Sequence, residues 1–257
     1  MTGLPAGQDG TIDSLSKNGG AVCEGRIARC RACVVRQNAL FVHLSPEELD
    51  QIAPSVPDFI APAGQPLYHA EDRPNALFII RRGIVKQELY LPDGSYRIVR
   101  LARRSDLLAL EALLDTPCDH TAIALTEVEV CRVPLPMVRK AMENREWMAT
   151  QMIHHWHQAV QRADGWLKNY SMGSGRRRLA CFLSDLACWA AKETPAQGWI
   201  ELPSRNDMGA ILGITKETAS RLLGDFRGSG LIRPQGQGMR YVHVDRAGLT
   251  QIIAADS

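Results

Sequence analysis

One segment near the C-terminal end limits the possible folds more than any other. Residues 203–232 read PSRNDMGAILGITKETASRLLGDFRGSGLI, and two short helical patterns flank Gly213. Ser204 and Thr215 are predicted N-caps, because their hydroxyl groups can accept hydrogen bonds from the free amides of a first helical turn. Glycine between the two patterns favours a tight turn. The segment therefore predicts a helix, a tight turn and a second helix.

Two strand-like stretches follow the second helix and complete the predicted C-terminal domain. The stretches LIRP and RYVHV are separated by the turn-forming residues QGQGM, which predicts a two-stranded wing. The start of the second helix presents Lys216, Glu217, Ser220 and Arg221 on one exposed face. Arginine can bind guanine O6 and N7, glutamate can accept from cytosine N4, and serine can bond to either. This face is therefore typical of a helix that reads the major groove of DNA.

Further basic residues extend the predicted interface. Arg205, Arg227 and Arg240 are expected to contact phosphates, which position a protein on DNA without reading its sequence. Alternatively, Glu217 and Arg221 form an ordinary surface ion pair on a structural helix. The caps, the turn and the wing together favour DNA binding. The predicted DNA-binding residues are Arg205, Lys216, Glu217, Thr218, Ser220, Arg221, Arg227 and Arg240.

The N-terminal half has the pattern of a small antiparallel β-domain. LSPEELDQIA, at 44–53, predicts a short helix with Ser45 as its N-cap. From about 56 to 136, short apolar runs alternate with turn signals, including Asp93-Gly94 between two alternating segments. Several short strands at this spacing predict an antiparallel sandwich or barrel.

A long helix is predicted between the two halves. Between residues 137 and 170 the sequence has no proline, and its only glycine is Gly165. Apolar residues recur three or four positions apart, as in the seam of a two-helix dimer. A core helix would show a similar stripe, but a helix of this length is more than a small domain can cover. The predicted dimer seam comprises Met148, Met152, Trp156, Val160, Ala163, Leu167 and Tyr170.

Composition excludes several classes of protein. The chain has 257 residues, of which 45% are hydrophobic and 23% charged, which fits a globular protein with room for two domains. A net charge of +2 does not by itself indicate a nucleic-acid partner. No apolar run could span a bilayer, and the first twenty residues have no secretory signal. We therefore expect a cytoplasmic protein without membrane contact, whose seven cysteines are kept reduced.

Three of these cysteines lie close together near the N-terminus. Cys23, Cys30 and Cys33 occur in AVCEGRIARCRACVV, with arginines between them. In a reducing compartment, clustered thiols bind metal or sense redox state more often than they form lasting disulfides. Neighbouring arginines favour the thiolate, which is the form that binds metal. The residues alone leave open a metal site, a disulfide clip or an accident of composition.

The order of these parts resembles that of the CRP/FNR transcription regulators, from Cys30 to about Ile253. DMGAILGITKETASRLLGDFRGSGLI is similar to the family's recognition signature, and Glu217, Ser220 and Arg221 match the Glu-x-x-Ser-Arg element of the FNR-type branch. The resemblance implies an α+β fold with an antiparallel β-roll, a long dimerisation helix and a winged helix-turn-helix. It also implies a homodimer that binds a TTGAT-like palindrome in double-stranded DNA and contacts RNA polymerase.

The expected organisation has five parts. They are a disordered tail at 1–22, a cysteine-rich sensor segment at 23–40, the β-roll at 41–136, the dimerisation helix at 137–172 and the winged helix-turn-helix domain at 173–257. We find no nucleophile–base set, Walker motif or dinucleotide fingerprint in the sequence. We therefore expect no enzymatic activity.

The resemblance also identifies the position at which some members bind a cyclic nucleotide. Ser105-Asp106 stands where those members carry Gly-Glu, and Asp119-His120-Thr121 replaces their phosphate-binding arginine and its neighbour. An aspartate there would repel a cyclic phosphate, which basic side chains bind in such sites. The sequence therefore argues against cyclic AMP as the ligand. A regulator that responds to another small ligand is an alternative.

The FNR-type branch holds a 4Fe–4S cluster on four cysteines, and the resemblance implies the same cofactor here. Cys30-x-x-Cys33 matches the cysteine pair of the branch, and Cys131 matches its distant cysteine, but Ala39 occupies the position of another ligand. Four thiolates are the usual number for such a cluster. Zinc on the same thiols and a thiol–disulfide switch are the alternatives. The expected ligands are Cys23, Cys30, Cys33 and Cys131, with Cys118 as a substitute fourth ligand.

Overall fold

The computed structural model describes residues 33, 43–52, 56–193, 198–236 and 238–256. The chain divides into two compact units. The first consists of Met1–Gln87 and Leu101–Trp156, and the second of Glu88–Arg100 and His157–Ser257. The predicted tail at 1–22 and the candidate ligands Cys23 and Cys30 lie outside the described residues.

The N-terminal half contains eight described strands in two sheets. One sheet has the strand order β1-β8-β3-β6 and the other the order β2-β7-β4-β5. A 3-10 helix at Leu110–Leu114 separates the sixth and seventh strands. The strands are β1 (Asp58–Ala61), β2 (Pro66–Tyr68), β3 (Ala76–Arg82), β4 (Val85–Tyr90), β5 (Tyr96–Ala102), β6 (Leu107–Leu108), β7 (Thr121–Ala124) and β8 (Val128–Pro134).

Strand β3 separates two apolar cores, which explains why its first five residues are all buried. Phe78 and Ile80 face the cluster that fills the inside of the roll. Leu77 and Ile79 face a second cluster, to which the helices after β8 also contribute. Successive strand residues point to opposite faces, so a strand covered on both sides reads as a continuous apolar run.

The hairpin between β4 and β5 confirms the Asp93-Gly94 prediction. Gly94 has φ 80°, a conformation that glycine adopts without steric cost. The Leu91 N–H donates to the Ser95 carbonyl at 2.8 Å and closes the loop. The Asp93 carboxylate accepts from the Ser95 N–H at 2.9 Å, as aspartate commonly does in turns.

The predicted long helix is confirmed, but it begins later than expected, because a break separates it from a shorter helix. Helix α2 (Leu135–Asn144) ends at Arg145, whose backbone is extended at φ −146° and ψ 99°. Helix α3 (Glu146–Trp166) then begins. The Arg145 guanidinium binds the Glu48 carboxylate at 2.6 Å. Glu48 is part of helix α1 (Pro46–Ile52), so the break coincides with a contact between residues that are far apart in the sequence. Neither proline nor glycine stands at the break, and the sequence therefore gives no local sign of it.

The short helix α1 has the predicted cap. The Ser45 hydroxyl accepts from the Glu48 N–H at 3.2 Å, and the Glu48 carboxylate accepts from the Ser45 N–H at 2.8 Å. This reciprocal arrangement is a capping box, and it satisfies two amides that the helix cannot pair internally.

The second unit is mainly helical with a small sheet. A π-helical turn at Leu167–Ser171 follows α3. The wing strands are confirmed, and β9 adds a third strand that the sequence did not reveal, giving the order β10-β11-β9. The elements are α4 (Gly175–Glu193), β9 (Ile200–Glu201), α5 (Arg205–Leu212), α6 (Lys216–Gly228), β10 (Ile232–Pro234), β11 (Tyr241–Val244) and α7 (Arg246–Ala255).

These elements confirm the predicted α+β fold class, with an antiparallel roll followed by helices and a winged helix-turn-helix. Among the helices that the structure describes, none has the length and apolar content needed to cross a bilayer.

Candidate nucleic-acid interface and cysteine site

Helices α5 and α6 and the turn between them have the predicted caps. The Ser204 hydroxyl accepts from the Asp207 N–H at 3.0 Å, and the Thr215 hydroxyl accepts from the Thr218 N–H at 3.2 Å. Gly213 ends α5 in the left-handed conformation, with φ 63°. A side chain there would be strained, so glycine fixes the point at which the chain turns.

A second glycine allows the two helices to approach closely. A Cβ atom on Gly209 would lie 2.7 Å from the Ile214 carbonyl oxygen, which is shorter than a real contact of this kind. The Ile214 N–H also donates to the Gly209 carbonyl at 3.1 Å. Nothing in the sequence pattern singled out Gly209, because the contact arises only when α5 and the turn pack together.

The exposed and buried faces of α6 are separate. Ala219, Leu223 and Phe226 are buried on one side. The exposed side carries the predicted base-reading residues Lys216, Glu217, Ser220 and Arg221. These four side chains therefore lie outside the buried face of the helix and do not contribute to its packing.

Glu217 is suited to accept hydrogen bonds at neutral pH. Its pKa is lowered by its hydrogen bond to its own backbone amide, then by the Thr215 hydroxyl and by Lys216, although slight desolvation opposes them. The Lys216 Nζ lies 3.9 Å from the Glu217 carboxylate, and both side chains are exposed. The carboxylate is thus ionised and can still turn to a partner, because an exposed pair at this distance is weak.

The predicted phosphate contacts lie on different elements. Arg205 begins α5 and is half-buried, and this burial lowers its pKa from the ordinary value. Arg227 is exposed in the last turn of α6. Arg240 is also exposed, but its guanidinium binds the Glu201 carboxylate at 2.9 Å and lies over the Tyr241 ring. Thr218 is half-buried, and its N–H donates to the Thr215 hydroxyl at 3.2 Å.

An arginine that the sequence did not single out supports the interface. The Arg178 guanidinium donates to the Leu212 carbonyl at 2.6 Å. This carbonyl is at the end of α5, where the last carbonyl groups have no partner within the helix. Arg178 on α4 therefore holds the end of α5 in place, and it supports the following turn.

Two of the four expected cysteine ligands pack against the same apolar cluster in the first unit. Cys33 and Cys131 both contact the apolar cluster on the outer side of β3. Cys131 on β8 lies opposite Asp58 of β1 and Ile79 of β3 in the sheet register. Cys23 and Cys30 lie outside the described residues, so their place relative to this pair stays a prediction.

Arg81 connects the two thiols electrostatically. Its guanidinium donates to the Asp58 carboxylate at 2.8 Å. Burial lowers the pKa of Arg81, but the charges of Cys131, Cys33 and Asp58, with a hydrogen bond to Cys33, outweigh burial and raise it overall. A half-buried cation therefore lies beside both sulfur atoms. Nothing in the sequence pattern indicated this role, because Arg81 becomes a neighbour only through sheet pairing.

Cys118 is in a different environment. It is 1% exposed and belongs to the cluster inside the roll, not to the cluster that Cys33 and Cys131 contact. Burial raises the pKa of its thiol to about 12, with further contributions from Glu111, Asp72 and Asp119. A thiol that stays protonated at neutral pH is a poor metal ligand. The structure therefore disfavours Cys118 as the substitute fourth ligand.

Comparison with known protein families agrees with both halves of this description. Residues 60–145 match the cyclic nucleotide-binding domain, and residues 177–252 match the Crp-like helix-turn-helix domain. The chain belongs to the CRP/FNR family of transcription regulators. It is therefore a DNA-binding transcription regulator of the CRP/FNR type.

Curated relatives of this CRP/FNR regulator match over most of their length. The transcriptional regulatory protein btr of Bordetella pertussis is 26% identical over 232 residues, which cover 90% of this chain and 95% of the relative. The fumarate and nitrate reduction regulatory protein of Shigella dysenteriae is 27% identical over 217 residues, which cover 83% of this chain and 86% of the relative.

Solved structures support the fold. FixK2 from Bradyrhizobium japonicum superimposes with a TM-score of 0.67 at 22% identity, covering 79% of this chain and 99% of that one. TTHB099, a CRP-family transcriptional regulator from Thermus thermophilus, gives a TM-score of 0.64 at 22% identity, covering 76% of this chain and 96% of that one.

The predicted dimer stripe of this CRP/FNR regulator divides into packed and exposed residues. Met148 and Met152 are buried against the first unit's own core. Tyr170 is buried in the second unit, where its hydroxyl donates to the Asp185 carboxylate at 2.5 Å. Family members typically act as dimers on DNA. The residues left for a seam are the exposed Trp156, Val160 and Leu167 and the half-exposed Ala163.

Ile153 is a further exposed apolar residue that the sequence prediction did not include. It is 67% exposed, and it is separated from Trp156 by three positions. Ile153, Trp156, Val160, Ala163 and Leu167 then follow spacings of three, four, three and four, which is a strict heptad pattern. Beginning the stripe at Met148 instead of Ile153 concealed this regularity.

The segment at the cyclic-nucleotide position has an unusual backbone. Ser105, Ala109 and Asp115 all have positive φ, at 73°, 61° and 57°. Asp106 is 7% exposed, and its carboxylate accepts from the Arg103 N–H at 3.0 Å. This side chain therefore stabilises its own turn.

Proposed function

We propose that this CRP/FNR regulator binds a TTGAT-like palindrome as a homodimer and senses oxygen, nitric oxide or redox state through a 4Fe–4S cluster. The cluster ligands are Cys23, Cys30, Cys33 and Cys131. The regulator acts in the cytoplasm with RNA polymerase as a partner and without enzymatic activity. Cyclic AMP is not its ligand.

The exposed face of α6 carries the DNA part of the proposal. Arg221 offers the bidentate donor that guanine accepts, and the ionised Glu217 offers an acceptor for cytosine. Ser220 lies on the same face and can bond to either kind of group. All three side chains are exposed at the beginning of a helix whose other side is buried. The likeness to a fumarate and nitrate reduction regulatory protein supports a place in the FNR-type branch.

DNA binding is tested by contrasting one base-reading residue with one phosphate-contacting residue. Arg221→Ala should cost about 1–3 kcal/mol, or roughly 5- to 150-fold in affinity, and relax specificity at one base pair. Arg227→Ala should weaken binding to all sequences alike and reduce the slope of affinity against salt by about one. Fluorescence anisotropy with the palindrome and single-base variants measures both. Equal sequence dependence in the two variants would contradict the proposed base contact.

The position of Cys33 and Cys131 beside Arg81 is the observation that supports the proposed sensor. Two thiols from distant parts of the sequence face one half-buried guanidinium, which offsets the negative charge of bound thiolates. When bound, a 4Fe–4S cluster supplies reactivity towards oxygen and nitric oxide. The chain's own residues hold and shield it, with β1, β3 and β8 fixing the Cys131 side of the site. Zinc would be held by the same thiols.

The cofactor is tested by purifying the full chain without oxygen and assaying iron and acid-labile sulfide. About four of each per chain, with visible absorption that bleaches in air, supports the cluster. Cys23→Ala and Cys131→Ala should each remove the iron and the colour. Cys118→Ala is the matched control and should retain both, because Cys118 lies inside the roll. A colourless protein that contains zinc, or no metal, would contradict the proposed cluster. The proposal of DNA binding would still stand.

A further inference from the structure

A second group of metal-binding side chains lies in the β-roll. Glu111, Asp119 and His120 each offer one ligand atom, and these atoms lie within 4.8 Å of one another. Glu111 is on the 3-10 helix at Leu110–Leu114, and the other two residues immediately precede β7. We propose that these three residues bind a divalent transition-metal ion, independently of the cysteine site and of the proposed function.

The two carboxylates of this group, Glu111 and Asp119, lack a lysine or arginine partner in the part of the chain that the structure describes. The nearby Arg139 is paired instead with the Asp115 carboxylate at 2.6 Å, and Arg73 donates to the Asp115 carbonyl. Two neighbouring carboxylates without a cation repel each other. A divalent ion between them would replace this repulsion with attraction.

The backbone on both sides of the group is held in place. The Thr116 N–H and hydroxyl both donate to the Glu111 carbonyl, at 3.3 and 3.2 Å. On the other side, the Cys118 N–H donates to the Asp72 carbonyl at 2.9 Å, and the Thr121 hydroxyl accepts from the Ala70 N–H at 3.0 Å. The segments that carry Glu111 and the Asp119-His120 pair are therefore anchored by hydrogen bonds of their own backbone and hydroxyl groups.

The required movement is small. Nitrogen and oxygen ligands bind zinc at about 2.0–2.2 Å in tetrahedral geometry, so two ligands of one ion are about 3.3–3.6 Å apart. The present separations, all within 4.8 Å, exceed this by little more than an ångström. One imidazole with two carboxylates is a donor set for zinc, manganese or ferrous iron, whereas thiolates favour softer metals.

The proposed metal site lies at the position where other family members bind their regulatory ligand. The same segment carries Asp119-His120-Thr121 where cyclic-nucleotide-binding members have a phosphate-binding arginine. The change of charge converts an anion-binding position into a cation-binding one. A bound ion would join the 3-10 helix to the residues before β7, and thus link the two ends of this effector segment.

Manganese binding to the full chain tests the proposal, because Mn²⁺ prefers oxygen and nitrogen ligands and avoids cysteine thiolates. Loss of the free Mn²⁺ signal in electron paramagnetic resonance gives stoichiometry and affinity. We expect one Mn²⁺ per chain. Glu111→Gln, Asp119→Asn and His120→Gln should each weaken binding at least about tenfold. Asp115→Asn is the matched control, since Asp115 is a neighbouring acid outside the group, and it should bind Mn²⁺ like the wild type.

Two results would overturn the site. One is the absence of stoichiometric Mn²⁺ and Zn²⁺ binding by the wild-type chain. The other is undiminished binding by folded His120→Gln, which would reduce the group to an acidic patch. Thermal unfolding shows whether each variant is folded. If His120→Gln does not fold, the Mn²⁺ affinity of Asp119→Asn is the test instead. The Mn²⁺ result is separable from the iron assay, because the cysteine variants should retain it.

Discussion

Gly224 is an exposed residue within the recognition helix α6, where glycine is unfavourable. A helix interior favours alanine over glycine by about 0.8–1.0 kcal/mol, because glycine loses more backbone freedom. A Cβ atom at position 224 would have no atom within 4 Å. No packing reason in the free protein therefore requires glycine here. The residue lies on the same face as Ser220 and Arg221, which is the face predicted to approach DNA.

Gly224→Ala should stabilise the second unit by about 0.5–1 kcal/mol, because the added methyl group meets no neighbour. It should also weaken DNA binding, since the methyl group extends from the groove-facing side. Chemical denaturation and anisotropy measure the two effects. Gly228→Ala, in the last position of the helix, is the control and should give a smaller gain. A destabilised Gly224→Ala would show that the helix depends on glycine at this position.

At the scale of the element, the helix-turn-helix depends on close packing between α5 and the following turn. Gly209 places the Ile214 carbonyl oxygen where a side chain would otherwise be. Met208 and Leu212 are completely buried beside it, so α5 has no room to shift. Well-packed interiors resist even one additional methyl group.

Gly209→Ala should therefore destabilise the second unit by about 1–3 kcal/mol, because the new Cβ would overlap a backbone atom that cannot rotate away. The midpoint of chemical denaturation measures the loss. The same substitution at Gly224 has the opposite expected sign, so the pair separates packing from helix propensity. Equal stability of Gly209→Ala and the wild type would mean that the turn relaxes freely.

At the scale of the whole molecule, the exposed stripe on α3 is the surface expected to form the dimer. Val160 is 56% exposed and Leu167 is 59% exposed, and both continue the heptad that begins at Ile153. An apolar heptad stripe is stable when a second helix covers it. Met148 and Met152 are packed within the chain, so their substitution would disturb the fold of one protomer as well as any association.

Val160→Glu should shift the protein towards monomer, because it introduces a charge into the apolar seam of both protomers. Sedimentation velocity at several concentrations measures the shift, and affinity for the palindrome should fall with it. Gln158→Glu introduces the same side chain on the opposite side of the helix and should leave the association unchanged. If both variants associate like the wild type, the dimer uses another surface.

Local patterns in the sequence were sufficient for the features that depend on neighbouring residues. Ser204, Thr215 and Gly213 defined the helix-turn-helix, since caps and turns are set by groups a few residues apart. Asp93-Gly94 defined the hairpin for the same reason. The alternation of short apolar runs with turn signals was enough to predict a small antiparallel β-domain, because strands and turns differ in local composition. The roll itself was implied by the family resemblance.

Only the tertiary structure decided which distant residues meet. Sheet pairing brings Arg81 close to Cys131, and Cys33 joins them by tertiary packing. An ion pair between Arg145 and Glu48 accompanies a break before the long helix that the apolar stripe did not reveal. Packing assigned Met148 and Met152 to a core and left Ile153 exposed. The spacing of apolar residues shows which face of a helix is apolar, but not which surface covers that face. That choice depends on long-range contacts, which the chain acquires only when it is folded.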